Sequence, residues 1–111
     1  IAHSLLTAVI GHASLYFDTK ILHCDLSPNN IISYLHAMQI SLTGFPVCQP
    51  GTQVYGSLID LDYAVDTTSS GSCGATDRTG TYPFIAINIL RGREPHRYRH
   101  DIESLLYVLL W

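Results

Sequence analysis

Apolar residues recur at steps of four, four, four and three through Ile1, Leu5, Val9, Ala13 and Tyr16, with Leu6 and Ile10 beside them. That spacing predicts an opening α-helix whose stripe packs on the rest of the domain. Gly11 costs such a helix about 1 kcal/mol relative to Ala, so packing or a bend is expected there. Asp18-Thr19-Lys20 turns the chain into Ile21-Leu22, and Ile31-Ile32 follows after eight residues that hold a Pro and two Asn. The pattern reads as strand, loop, strand.

From Ser33 to Gln53 no period of two or of 3.6 is sustained, and Gly44, Pro46, Pro50 and Gly51 punctuate the segment. It reads as a loop, either a true insertion or an error in the predicted coding sequence, because a structureless stretch of this length is unusual inside a compact domain. Val54 to Ile59 reads as a strand ending at Asp60-Leu61-Asp62. Ala64 to Thr81 is rich in Ser, Thr and Gly and is expected to be a mobile surface loop. Ile85, Ile89 and Leu90 suggest a short helix, and Arg91 to Arg99 a second loop. His100-Asp101 opens a last helix, in which Ile102, Leu105, Leu106 and Leu109 keep the i, i+3, i+4, i+7 spacing. After Ser104 that helix is apolar nearly all round, so it calls for partners on every side. It ends in mid-stripe without Gly, Pro or a basic turn, and there is no initiator Met; the expectation is a piece of a larger domain.

Composition narrows the classes. With 111 residues and 47% hydrophobic content, the chain has material for a real core, which excludes a disordered protein or a disulfide scaffold. A net charge of −3, with six Lys plus Arg, gives no electrostatic case for nucleic acid or an anionic membrane surface. The cluster Arg91, Arg93, Arg97 and Arg99 reads as a solvated surface. Cys24, Cys48 and Cys73 are odd in number and form no CxxC pair, which favours a reducing, intracellular compartment. No apolar run is long enough to span a bilayer.

The candidate chemistry sits in His23-Cys24-Asp25-Leu26-Ser27-Pro28-Asn29-Asn30. A loop pinned at both ends in strands holds side chains rigidly. Asp25 and Asn30 can then converge, the carboxylate as a proton acceptor and the amide oxygen as a metal ligand. An ordinary Asx-rich turn, with both residues capping backbone amides, uses the same residues. Asp60, at a strand end, is a third oxygen donor of the kind Mg²⁺ prefers, or merely starts a turn with Asp62. His96 and His100 stand four apart, but Arg97 and Arg99 crowd them with positive charge and no third ligand is fixed, which argues against a zinc site. His23 reads as a packed histidine that supports the loop backbone.

The order of segments carries a resemblance. The opening helix, the His23 to Asn30 loop, Leu58-Ile59-Asp60-Leu61-Asp62, Arg78-Thr79-Gly80-Thr81-Tyr82-Pro83-Phe84 and His100-Asp101-Ile102-Glu103-Ser104 resemble the C-terminal lobe of a eukaryotic protein kinase. The chain is most similar to the fungal-type protein kinases. The resemblance implies a partial kinase domain over residues 1–111, from the helix before the catalytic loop to the central helix. In it, 33–53 is an insertion and the N-lobe is absent. The implied fold is α+β, kinase-like and C-lobe only, mainly helical with a small β hairpin near the catalytic loop.

The implied activity is ATP- and Mg²⁺-dependent phosphoryl transfer to protein Ser/Thr hydroxyls. Asp25 corresponds to the catalytic aspartate, and Asn30 and Asp60 to the cofactor and Mg²⁺ ligands. Asp101 corresponds to the acid that braces the catalytic loop, and Thr81 to the substrate platform. Departures are Cys24 for the usual arginine, Ser27 for a lysine, Leu61-Asp62 for Phe-Gly and Asn88 for a glutamate. With Cys24, a phosphate on the activation segment lacks its positive partner. No glycine-rich loop and no strand lysine with a glutamate partner are found, so the chain by itself is expected to be inactive. A missing N-lobe, or the rest of the C-lobe, is the partner its stability calls for. The alternative is a pseudokinase or truncated product acting as a scaffold. A small-molecule phosphotransferase shares the same acids, but the Thr79 to Phe84 segment resembles a protein-substrate platform.

Overall fold

The computed structural model describes residues 2–35, 54–69 and 79–111. Most of the segment 33–53 and the centre of the Ser/Thr/Gly segment, with Cys48, Cys73 and Arg78, lie outside the described residues. The order is helix α1 (Ala2–Thr19), strand β1 (Ile21–Leu22), a 3-10 turn (Pro28–Asn30), β2 (Ile31–Leu35), β3 (Val54–Leu58), β4 (Val65–Asp66), helix α2 (Ile87–Leu90) and helix α3 (Tyr98–Leu110). The class is α+β, with helices packed beside two small antiparallel sheets. One sheet is β1 with β4, in register Ile21 to Asp66 and Leu22 to Val65; the other is β2 with β3, Ile31 to Leu58 through Leu35 to Val54.

Several boundaries differ from expectation, each for a local reason. Ser33–Leu35 extend β2 into the segment read as a loop, because they pair with Val54–Gly56. Ala64–Ser69 is tied down rather than loose. Val65–Asp66 pairs with β1, the Thr67 amide and hydroxyl both donate to the Lys20 carbonyl, and the Thr68 amide and hydroxyl donate to the Asp66 carboxylate. Helix α3 begins at Tyr98, two residues early, because the Tyr98 ring packs against His12, Tyr16 and Phe17 at 4.6–5.2 Å between centroids.

Helix α1 ends at Thr19, and Lys20 just after it has a positive φ of 61°, the left-handed turn that closes many helices. Its amide bonds the Tyr16 carbonyl at 2.8 Å, and its ammonium caps the Phe17 carbonyl at 2.9 Å. The helix does not bury the stripe that hydropathy selects. Leu6 and Ile10 are exposed, and Leu5, Val9, Ala13 and Tyr16 are only half-buried. The buried line is Ser4, Ala8 and His12, one residue round from the expected one.

Gly56 explains why α1 turns this way. A Cβ on Gly56 would sit 2.0 Å from the Ser4 carbonyl oxygen, so helix and strand meet backbone to backbone. Around that contact Thr7 Oγ1 accepts the Gly56 amide at 2.5 Å, and His3 Nδ1 donates to the Val54 carbonyl at 2.5 Å. Gly11, by contrast, is exposed with nothing near its missing Cβ, so no packing requires it.

The buried set pairs Leu22, Leu26, Phe84, Ala86, Ile89 and Leu105 with an unusual share of polar side chains: His12, His23, Asp25, Ser27, Asn30, His100, Asp101 and Ser104. Glu103 links the last two helices, taking the Ile87 amide at 2.9 Å and the Tyr107 hydroxyl at 2.6 Å on one oxygen. That bond to an anion pushes the Tyr107 pKa up. The outer face of α3 is uncovered among the described residues, with Ile102, Leu106, Leu109 and Leu110 exposed, as is Trp111 just beyond the helix.

The two glycines give opposite predictions. Gly56→Ala should destabilise by about 1–3 kcal/mol or more, since backbone must move to admit the methyl. Gly11→Ala should stabilise by roughly 1 kcal/mol. Urea unfolding of both variants beside the parent checks the signs.

Candidate active site

Strand β1 delivers His23, Cys24 and Asp25, and the 3-10 turn returns the chain to β2 through Asn30. Cys24 has φ of 65°, a left-handed conformation that is uncommon without glycine and that reverses the chain beside Asp25. Pro28 sets the first turn of the 3-10 segment. Asn30 then folds back on the loop: its Nδ2 donates to the Asp25 carbonyl at 2.8 Å and to Asp25 Oδ2 at 3.1 Å. Thr81 Oγ1 donates to the other oxygen, Asp25 Oδ1, at 2.7 Å. The carboxylate is thereby fixed from both sides, with the residue 8% exposed.

His23 is completely buried and works on backbone. Its Nε2 donates to the Ile59 carbonyl at 3.0 Å, which leaves Nδ1 as the acceptor facing the Asp25 amide at 3.4 Å. The Ile59 amide donates to the Asn30 carbonyl at 3.0 Å. Because both polar groups of Ile59 bind the loop, β3 stops at Leu58, one residue before the expected end. Asp60 comes next, exposed, with φ of 64°, and its Oδ1 accepts the Asp62 amide at 3.3 Å.

Behind the loop lies Asp101, in the first turn of α3 and fully buried. Oδ2 accepts His12 Nε2 at 2.8 Å and the His23 amide at 2.9 Å; Oδ1 accepts His96 Nε2 at 2.8 Å and the Cys24 amide at 3.1 Å. Burial pushes this carboxyl's pKa up, but the bonds from His12 and His96 outweigh it and hold the group well below the usual carboxylate range. Next to it His100 Nδ1 accepts the Arg97 amide at 2.9 Å, fastening the helix start, while Nε2 lies 3.4 Å from Glu94 Oε1. Burial lowers the His100 pKa, with Glu94 opposing. Glu94 is itself a hub: Asn88 Nδ2 donates to Oε1 at 2.7 Å, and the Arg99 and Arg97 guanidinium groups face Oε2. The glutamate missing at position 88 thus has a neighbour that gathers the arginines instead.

Of the residues singled out in the sequence, Asp25, Asn30 and Thr81 are joined by direct side-chain bonds. His23 and Asp101 reach them through backbone amides. Asp60 is brought alongside through Ile59, while its own carboxylate bonds into its turn. The donor set suits a hard divalent cation. Asn30 uses its amide nitrogen on Asp25, so its carbonyl oxygen is left for a ligand, and Asp60 has a second carboxylate oxygen unused. His96 and His100 meet edge to face with ring centroids 5.6 Å apart, but their hydrogen bonds go elsewhere, His96 Nε2 to Asp101 and His100 Nδ1 to the Arg97 amide.

Sequence reasoning missed His12 and His96 as partners of Asp101. A polar residue breaking the apolar character of α1 beside small Ala8 and Ser4 was the available signal for His12. For His96 there was none.

Asp101→Asn should cost about 3–5 kcal/mol at pH 7, because an amide nitrogen would face donors where a carboxylate oxygen accepts them. For both Asp101 and His100 the folded pKa lies below the unfolded one. Their contributions are therefore complete above the unfolded value and lost as pH falls. Stability should decline first below about pH 6.5 and again below about pH 3.9. His100→Gln should flatten only the first decline. Thermal melts between pH 3 and 8 separate the two steps.

The family model described as "Fungal protein kinase" matches residues 2–111. No curated protein matches the chain. Because the match takes in the opening helix, the Asp25 loop and the Asp101 helix together, the chain belongs to the fungal protein kinase family.

Proposed function

We propose that the chain is the C-terminal lobe portion of a protein kinase fold, spanning 1–111 with an insertion at 33–53. In the complete domain it serves ATP-dependent phosphoryl transfer to protein Ser/Thr hydroxyls. The observation that carries this reading is the Asp25 carboxylate, buried and bonded on one oxygen by Asn30 and on the other by Thr81.

Such a carboxylate is fixed in direction and remains an acceptor. As the substrate hydroxyl oxygen attacks phosphorus, Asp25 orients the hydroxyl and takes its proton. Asn30 and Asp60 would hold Mg²⁺, which when bound would supply charge neutralisation on the nucleotide phosphates. Thr81, bonded to Asp25, sets where the substrate segment approaches. His23 and Asp101 keep the loop backbone in place. Lys20 is the chain's single lysine, and its ammonium is committed to the Phe17 carbonyl at the end of α1. No phosphate-clamping lysine is then available, which supports an inactive chain in isolation.

A second reading, an interaction module without turnover, draws on the uncovered apolar face of α3, where Leu109, Leu110 and Trp111 are more than 60% exposed. Kinase assay of the full-length gene product with Mg²⁺ and ATP separates the two. Under the kinase reading, Asp25→Asn should lower turnover by roughly 10²–10⁴-fold with an unchanged unfolding midpoint. A full-length product that transfers no phosphate, with Asp25 intact, rejects that reading.

A further inference from the structure

Asp101 poses a charge problem. Its carboxyl is completely buried, and among the described residues no lysine or arginine pairs with it. Among the described residues its ionic neighbours are His12 and His96, which are cations only when protonated. A buried anion demands a compensating positive charge nearby.

A second feature meets it at the same spot. The Cys24 sulfur, a His96 ring nitrogen and an Asp101 carboxylate oxygen all lie within 4.8 Å of one another. Cys24 and Asp101 are buried, and His96 covers them from the loop before α3. Sulfur, imidazole and carboxylate together are the ligand types of zinc and its neighbours, whereas a thiolate excludes Mg²⁺.

We propose that Cys24, His96 and Asp101 form a binding site for a zinc-class divalent cation, separate from the Asn30 and Asp60 oxygens, that fastens the α3 approach loop to the back of the catalytic loop. Tetrahedral bonds of about 2.0–2.3 Å place ligand atoms roughly 3.2–3.7 Å apart. His96 Nε2 and Asp101 Oδ1, now 2.8 Å apart, open by a few tenths of an ångström to admit the ion. The Cys24 thiol gives its proton to solvent, and the His96 imidazole carries its proton on Nδ1. Thiolate and carboxylate then balance the dication, and water fills the fourth position.

The test uses metal-free chain with Cys48 and Cys73 changed to Ser, so that Cys24 is the sole thiol. It is titrated with Zn²⁺ against a chromophoric chelator, and separately with Co²⁺. The proposal expects one Zn²⁺ per chain and a Co²⁺ complex showing the intense near-ultraviolet thiolate-to-metal band. Cys24→Ser and His96→Gln should each weaken Zn²⁺ binding by more than the roughly 10–100-fold that follows loss of an outer-sphere partner. Exposed His3→Gln should leave it unchanged. Failure to bind Zn²⁺ stoichiometrically, a Co²⁺ complex without the band, or variants that bind as the parent does would overturn the site and assign the balancing charge to a proton. Should Cys24→Ser not fold, the Co²⁺ band of the parent decides alone.

Discussion

One buried carboxylate organises the molecule. Asp101 receives four donors from three separate stretches of chain: His12 from the first helix, the His23 and Cys24 amides from the Asp25 loop, and His96 from the loop before the last helix. Removing an ionised carboxylate from water costs several kcal/mol, and only a full set of short, well-aligned donors offsets it. If any one stretch leaves, that offset falls and the rest is weakened. The polar centre thus does for this chain what a larger apolar core does elsewhere, fixing how the elements sit relative to one another.

The Asp25 loop inherits its shape from that tether. Two successive amides pointing at one carboxylate require a sharp change of backbone direction, and Cys24 supplies it with a positive φ. Asp25 is then turned to the opposite side, where Asn30 and Thr81 take its two oxygens. His23 fastens the other flank by holding the Ile59 carbonyl, which sets Asp60 beside the loop. Structure and chemistry therefore share one set of bonds.

Much of this was legible in the sequence. The helical spacing of α1 and α3, the two short strands around the Asp25 loop and the strand before Asp60 follow from periodicity, and the segment order pointed to the family. What hydropathy could not show is which face of α1 goes inward. Ser4 and His12 are buried because their neighbours are backbone and a carboxylate, while Leu6 and Ile10 stay outside. A glycine 52 residues away, Gly56, and an aspartate 89 away, Asp101, decide the matter, and no local pattern encodes such distant partners. Strand β4 was hidden for a related reason: two residues among hydroxyls and glycines carry no period, and their pairing depends on β1.

Native-state hydrogen exchange of the His23 and Cys24 amides tests the central claim most directly. If Asp101 tethers the loop, both protons exchange only through global unfolding, as slowly as the most protected helical amides, and both lose that protection in Asp101→Asn. Exchange of these two amides at the rate of exposed loop amides in the parent chain would contradict the account.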